Sequence, residues 1–399
     1  MTEREFDMQQ PVPQDEPLPE AAPASEQSTL SLDQQPTVSE PLPAEQQETA
    51  PRKGKNAKKD KSAKKNSVLR TTLLYIFLFL FVTGFFAGAT ALGAVLEICY
   101  GPSETARNTF VSTAKETTRF KWVPHVFFSD EQVEAILNAN TLLETDETTD
   151  PNLQLKPTDP DIPLDTIEVH DVVGLTYTGK MMVVYDPSRV TVGTLPSFSS
   201  TARGWDIEKF VQKTGAVAAI NGGGFVDTGG KGKGGMPVGI VIKDNKLIFG
   251  NANSKVSIVG FDNENRLIVG SMTAAQALER GVRDAVNFGP ALIVNGEPVE
   301  VVGNGGGLNP RTIIGQRADG AVLLLVIEGR QAHSLGASYA DCIEQMLAFG
   351  AINATNLDGG SSSMMWYGDR YITGGASMYG DRTLPTVFLV MPFVGQEGE

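Results

Sequence analysis

Several stretches of the chain set a charged or amide side chain between an apolar run and glycine. "NGGGF" (221–225) presents Asn221, and "LLLVIEGR" (323–330) presents Glu328 and Arg330. "NLDGGSSS" (356–363) carries Asn356 and Asp358, then Gly359, Gly360 and Ser361. Arg311 opens "RTIIG" (311–315), while Asp381 and Arg382 precede the last apolar run in "GDRTLP" (380–385). The types suit chemistry on an anionic ester. A carboxylate moves a proton or attacks, a guanidinium fork bonds two phosphate oxygens at once, and bare glycine backbone offers further N–H donors. Each residue alone reads as structural: a polar strand end, an Asx-turn or a surface ion pair. Only the repetition of the pattern points to a shared cleft.

Other chemistries fit less well. "GGSSS" (359–363) lacks the G-x-S-x-G pattern of a nucleophile elbow. His170 and His333 are the histidines of the C-terminal part, and both suit surface or structural roles better than that of a triad base, His333 being the stronger candidate. "DTGGKGKGGMP" (227–237) and "GNGGG" (303–307) match neither a phosphate loop nor a dinucleotide fingerprint, and read as flexible loops that can serve as lids.

These residues need strands to hold them. Short β-branched runs alternate with turn signals in "GKMMVVYDPSRV" (179–190), "AVAAING" (216–222), "PVGIVIKDNKLIFG" (237–250), "SKVSIVGFDNENRLIVG" (254–270), "PALIVNGEPV" (290–299), "RTIIGQRADGAVLLLVIEG" (311–329) and "LPTVFLVM" (384–391). Tight hairpins are expected at "KDNK" (243–246) and "DNEN" (262–265). Helices are expected over 204–215, 273–281 and 338–350, the last with Ser338 as N-cap and Gly350 as its stop. The irregular interleaving predicts an α+β fold, a strand-rich mixed-sheet domain with a few helices.

The N-terminal third is different. Residues 1–50 are rich in Pro, Gln, Glu and Ala and read as disordered. A basic run follows, from Arg52 to Arg70, opposed only by Asp60. Residues 71–98 form an apolar stretch long enough to cross a bilayer, where about 20 residues suffice. The basic residues before it predict a cytoplasmic N-terminus and an extracytoplasmic C-terminal domain. "GFFAG" (84–88) is a weak helix-pairing signal. Residues 99–165 are expected to be a stalk and linker, with a helix over 129–143 capped by Ser129, and the compact domain is expected over 166–399. The two cysteines, Cys99 and Cys342, form no disulfide framework and no zinc pattern. A net charge of −14 argues against a nucleic-acid surface and leaves anion binding to local arginines.

Together "AINGGGF", "GPALIVNGEPV", "RTIIGQRADG", "LLLVIEGR", "MLAFGAINATNLDGGSSSMM" and "DRTLPTVFLV" resemble the phosphodiester glycosidase family, in order and from about Thr166 onward. The resemblance implies hydrolysis of a sugar 1-phosphodiester to free sugar and a phosphomonoester, and carries polar site positions onto Asn221, Arg311, Glu328, Arg330, Asn356, Asp358 and Arg382. The family usually has Asp where Glu328 stands, and often glycine where Ser361 stands. Asp358 is then the expected nucleophile or general base and Glu328 the acid or second carboxylate. Arg311, Arg330, Arg382 and the amides of Gly359, Gly360 and Ser361 hold the phosphate. Whether the anomeric centre is retained or inverted depends on the carboxylate separation. No cofactor is implied. The expected partners are a glycosyl-phosphate substrate, from an envelope or extracellular glycan, and the membrane. Two rival readings stay open: a non-catalytic binder of phosphorylated glycans, and a metal-assisted phosphodiesterase with Asp227, Asp358 and Asp381 as oxygen ligands.

Overall fold

A computed structural model describes residues 56–117, 119–153, 155–156, 161–227, 232–374 and 382–394. By its contacts the chain divides into two units, Met1–Leu78 and Phe79–Glu399. The elements run α1 (Asn56–Tyr100), α2 (Glu104–Glu116), α3 (Asp130–Asn138), β1 (Ile167–Val173), β2 (Thr178–Val184), β3 (Val190–Thr194), α4 (Ile207–Thr214) and β4 (Ala218–Asn221). Next come β5 (Val241–Lys243), β6 (Lys246–Phe249), β7 (Lys255–Asp262), β8 (Leu267–Thr273), α5 (Ala274–Glu279), β9 (Val282–Asn287), β10 (Ala291–Val294) and β11 (Glu297–Pro298). The last are β12 (Arg311–Arg317), β13 (Val322–Ile327), α6 (Tyr339–Ala348), β14 (Ala351–Asn356), β15 (Met365–Tyr367), β16 (Arg370–Tyr371) and β17 (Thr386–Val390).

Local chemistry accounts for many of these boundaries. Asp244 and Asn245 both take positive φ (49° and 59°) between β5 and β6, the backbone that a two-residue hairpin demands and that Asp and Asn tolerate. Asn265 (φ 61°) serves the β7–β8 hairpin in the same way. Ser129 and Ser338 cap α3 and α6 through reciprocal capping boxes with Gln132 and Asp341. Among the described residues, one helix is long and apolar enough to cross a membrane, the Ser67–Tyr100 part of α1.

The strands form three sheets, ordered β1-β2-β13-β12-β14-β10-β11, β16-β15-β4-β17-β3 and β6-β5-β9-β7-β8. The fold is α+β and strand-rich, with its named strand pairs antiparallel. A shared core joins all three sheets, with Met182 and Leu324 from the first, Ile220 and Phe388 from the second, and Val259 and Phe261 from the third. Alternate residues of β2 and β13 (Met181, Val183, Leu323, Leu325) face the other way, against Cys342, Ile343 and Met346 of α6. Both faces of these strands are therefore covered, which explains the unbroken apolar run "VLLLVI". Helix α4 covers the second sheet with Ile207, Phe210 and Val211, and α5 covers the third with Ala274 and Ala277.

The segment expected to be a stalk takes part in this fold. Val133 of α3 is buried, Leu142 pairs with Val301, and buried Thr149 bonds the backbone of Leu267 and Val269.

Candidate active site

Register brings the polar strand ends together. In the first sheet Arg311 pairs with Ile327 and Ile313 with Asn356, so the start of β12 meets the ends of β13 and β14. Arg311, Glu328 and Asp358 therefore emerge at one end of one sheet. Asn221 ends β4 in the neighbouring sheet and ties the two. Its Nδ2 donates to the Asp358 carbonyl (2.6 Å), while its Oδ1 accepts from Thr312 Oγ1 (2.8 Å) and from the Met364 N–H (3.2 Å). Fully buried, Asn221 positions the Asp358 turn and does not itself line the hollow.

That hollow is a cavity of about 330 Å³ lined by Asp227, Arg311, Arg330, Asn356, Asp358 and the 359–362 turn, with Glu116, Phe225, Phe288 and Tyr339 among its walls. Asp358 has the unusual acidity. Burial raises its pKa from 3.8 to about 6, despite the Ser362 side chain, the Arg382 charge and the Gly359 N–H, which all favour the carboxylate; Asp227 adds to the rise. Asn356 Nδ2 donates to the Gly289 carbonyl (3.1 Å), which fixes its amide, and its Oδ1 is buried without a hydrogen-bond partner.

Arg330 is held in a left-handed backbone (φ 59°), a conformation costing about 1–3 kcal/mol for a non-glycine residue. Its Nη2 donates to Asn309 Oδ1 (3.0 Å). The guanidinium lies against Gly360, where a Cβ would sit 3.2 Å from both Nη atoms; with φ 63° as well, only glycine fits that turn easily. Arg311 is buried, stacks on Tyr339 (3.9 Å) and donates to the Ala337 and Gly307 carbonyls. It also pairs with Glu116 at 2.7 Å. Glu116, the last residue of α2, further accepts from the Gly307 N–H (2.7 Å) and Asn309 Nδ2 (2.9 Å). One carboxylate thus occupies donors of two cavity-lining residues, Asn309 and Arg311.

The expected residues divide accordingly. Arg311, Arg330, Asn356, Asp358, Gly359, Gly360 and Ser361 line one cavity. Arg382 reaches it indirectly, through a 2.6 Å pair with Asp227 and through its charge near Asp358. Glu328 is not in the cavity lining. Its carboxylate pairs with His333 (3.0 Å), accepts from Thr178 Oγ1 (3.4 Å) and from the Gly374 N–H. His170 pairs with Glu168. Of the metal reading, Asp381 lies outside the described residues, and the Asp227 oxygens accept from Arg382 and the Gly232 N–H. Sequence reasoning missed Glu116 and Tyr339, and took Asp227 only as a metal ligand. Glu116 sits in a polar helix with no signal of its own, whereas Tyr339 directly follows a capping serine.

Residues 214–391 match the model of the phosphodiester glycosidase family. This is the family the motifs resemble. Among curated proteins the chain is similar to the SPbeta prophage-derived uncharacterized protein YomE of Bacillus subtilis (strain 168), 28% identical over 186 residues. That match covers 44% of this chain and only 28% of the relative's length. Among solved structures it is similar to the catalytic domain of zebrafish N-acetylglucosamine-1-phosphodiester alpha-N-acetylglucosaminidase, auto-inhibited by its pro-peptide (20% identity, TM-score 0.49, 61% of this chain and 87% of that one). A putative exported protein of Burkholderia pseudomallei K96243 follows at 16% identity and TM-score 0.41, covering 54% of this chain and 74% of that one.

Proposed function

We propose that this phosphodiester glycosidase-like domain hydrolyses the glycosidic bond of a sugar 1-phosphodiester, releasing free sugar and a phosphomonoester. The supporting observation is the single cavity that joins a carboxyl of raised pKa to guanidiniums and a glycine-serine turn. Asp358 acts at the sugar carbon as general base or nucleophile, while Arg330 and Ser361 of the glycine-serine turn hold the phosphate; the expected Gly359 and Gly360 N–H donors are already engaged, by the Asp358 carboxylate and by the Pro310 carbonyl (2.9 Å). A phosphate monoester is a good leaving group, so holding its charge matters more than protonating it. Two residues compete for the second carboxylate role: Glu328, by its place in the family pattern, and Asp227, by its place in the cavity. We further propose that the apolar helix anchors the protein in a membrane with the domain outside the cytoplasm, on the strength of its length and of the basic run before it.

The test is product analysis after incubating the full chain in detergent with glycosyl-1-phosphodiesters. Free reducing sugar plus monoester is expected. Sugar 1-phosphate plus alcohol points to cleavage at phosphorus. Saturable binding without products, unchanged in Asp358→Asn, points to a binding module.

A further inference from the structure

A second and larger cavity, about 610 Å³, adjoins the candidate active site, and Phe288, Gly289 and Tyr339 line both. Its lining includes the 141–146 segment, which lies upstream of the family match and is pinned to the domain by hydrogen bonds from the Leu143 N–H to the Glu300 carbonyl (3.0 Å) and from the Val302 N–H to the Thr141 carbonyl (2.8 Å). The lining also carries Ser257 and Ser271, paired residues of β7 and β8, together with Asn287 and Thr355.

The lining chemistry is selective. It contains hydroxyls, an amide and two aromatic rings, and no lysine or arginine. Its charged members are both acids, Glu144 and Asp146, of which Asp146 pairs with Lys255 at 3.1 Å. A further phosphate or carboxylate is repelled there, whereas sugar rings offer hydroxyls to the polar atoms and C–H faces to Phe288 and Tyr339. The volume falls within the ~300–1,000 Å³ of pockets that take a ligand of several rings.

We propose that this cavity is a subsite for a neutral oligosaccharide joined to the scissile sugar phosphate, so that the substrate is a glycan chain and not an isolated sugar phosphodiester. The proposal rests on the glycosidase reading for the reaction, but the cavity can be tested by binding alone. Three neutral tetrasaccharides (maltotetraose, cellotetraose and the N-acetylglucosamine tetramer) and one acidic one (tetragalacturonate) are titrated calorimetrically into the full chain in detergent. At least one neutral probe saturates at millimolar concentration and tetragalacturonate does not. Ser271→Trp fills the cavity and weakens binding roughly tenfold or more, equivalent to about 1.4 kcal/mol. A gentler variant, Ser271→Cys, guards against misfolding. Both native cysteines are buried, so a maleimide reports on the new thiol, and the bound tetrasaccharide slows its labelling. Failure of all three neutral probes, stronger binding of the acidic one, or a thiol that no saccharide protects overturns the subsite. Turnover of a minimal glycosyl-1-phosphodiester without tetrasaccharide binding leaves the reaction standing and removes the subsite; binding without turnover does the reverse.

Discussion

At the scale of single residues, the proposed chemistry turns on Asp358. A carboxyl whose pKa is raised to about 6 ionises across the range where a general base has to be poised. As the base or nucleophile, it makes kcat/KM rise with pH through about 6 and level off above; a fall through that value assigns it the acid role instead. Stability moves the opposite way. Because the folded pKa lies above the reference 3.8, folding favours the protonated form, and stability declines as pH climbs from about 3.8 through 6. Asp358→Asn is therefore inactive yet melts higher than the parent above that range, with the gap closing at low pH. A thermal-melt series against pH measures it. The second carboxylate is resolved by comparison. Asp227 lies in the cavity and near Asp358, so Asp227→Asn lowers kcat by about 10²-fold or more, in the range of a lost acid or base. If Glu328→Gln shows the larger loss instead, the acid reaches the substrate from the neighbouring His333 network.

At the scale of elements, α2 supplies a carboxylate to a candidate site otherwise built from strand ends, the turns after them and the start of α6. Arg311 is buried, and its charge is balanced by Glu116. Glu116→Ala leaves that guanidinium unpaired; since Glu116 itself is partly exposed, the loss is expected near the lower end of the usual range, about 3 kcal/mol by denaturant titration. Glu116→Gln keeps the shape and removes the negative charge. Inorganic phosphate then binds this variant more tightly than the parent, which calorimetry measures. Equal affinities show that Glu116 does not compete with anions for the cavity. The hairpin turns and capped helices needed no such tertiary argument. Asp244-Asn245 and Ser338-x-x-Asp341 carry their geometry within four residues, so they were readable from the sequence. Glu116 was not, because its partner Arg311 lies far along the chain.

At the scale of the whole molecule, residues 104–150 behave as part of the domain they precede. A chain beginning at Thr166 loses Val133, Leu142, Thr149 and the Arg311 counter-charge together, and is expected to melt lower than one beginning at Ser103; equal melting temperatures mark the segment as dispensable. The sequence alone determined what short-range chemistry dictates: the apolar helix, the alternation of strands and turns, the caps, and the pairing of charge with glycine at strand ends. Those features depend on neighbours a few residues apart, and every copy of the same stretch would show them. Tertiary structure decided which strand ends meet, that Asn221 clamps the Asp358 turn without facing the cavity, that Glu328 turns toward His333, and that Glu116 arrives from outside the family match. Antiparallel register and sheet packing set those juxtapositions, and both arise from contacts between residues too far apart in sequence for any local pattern to encode.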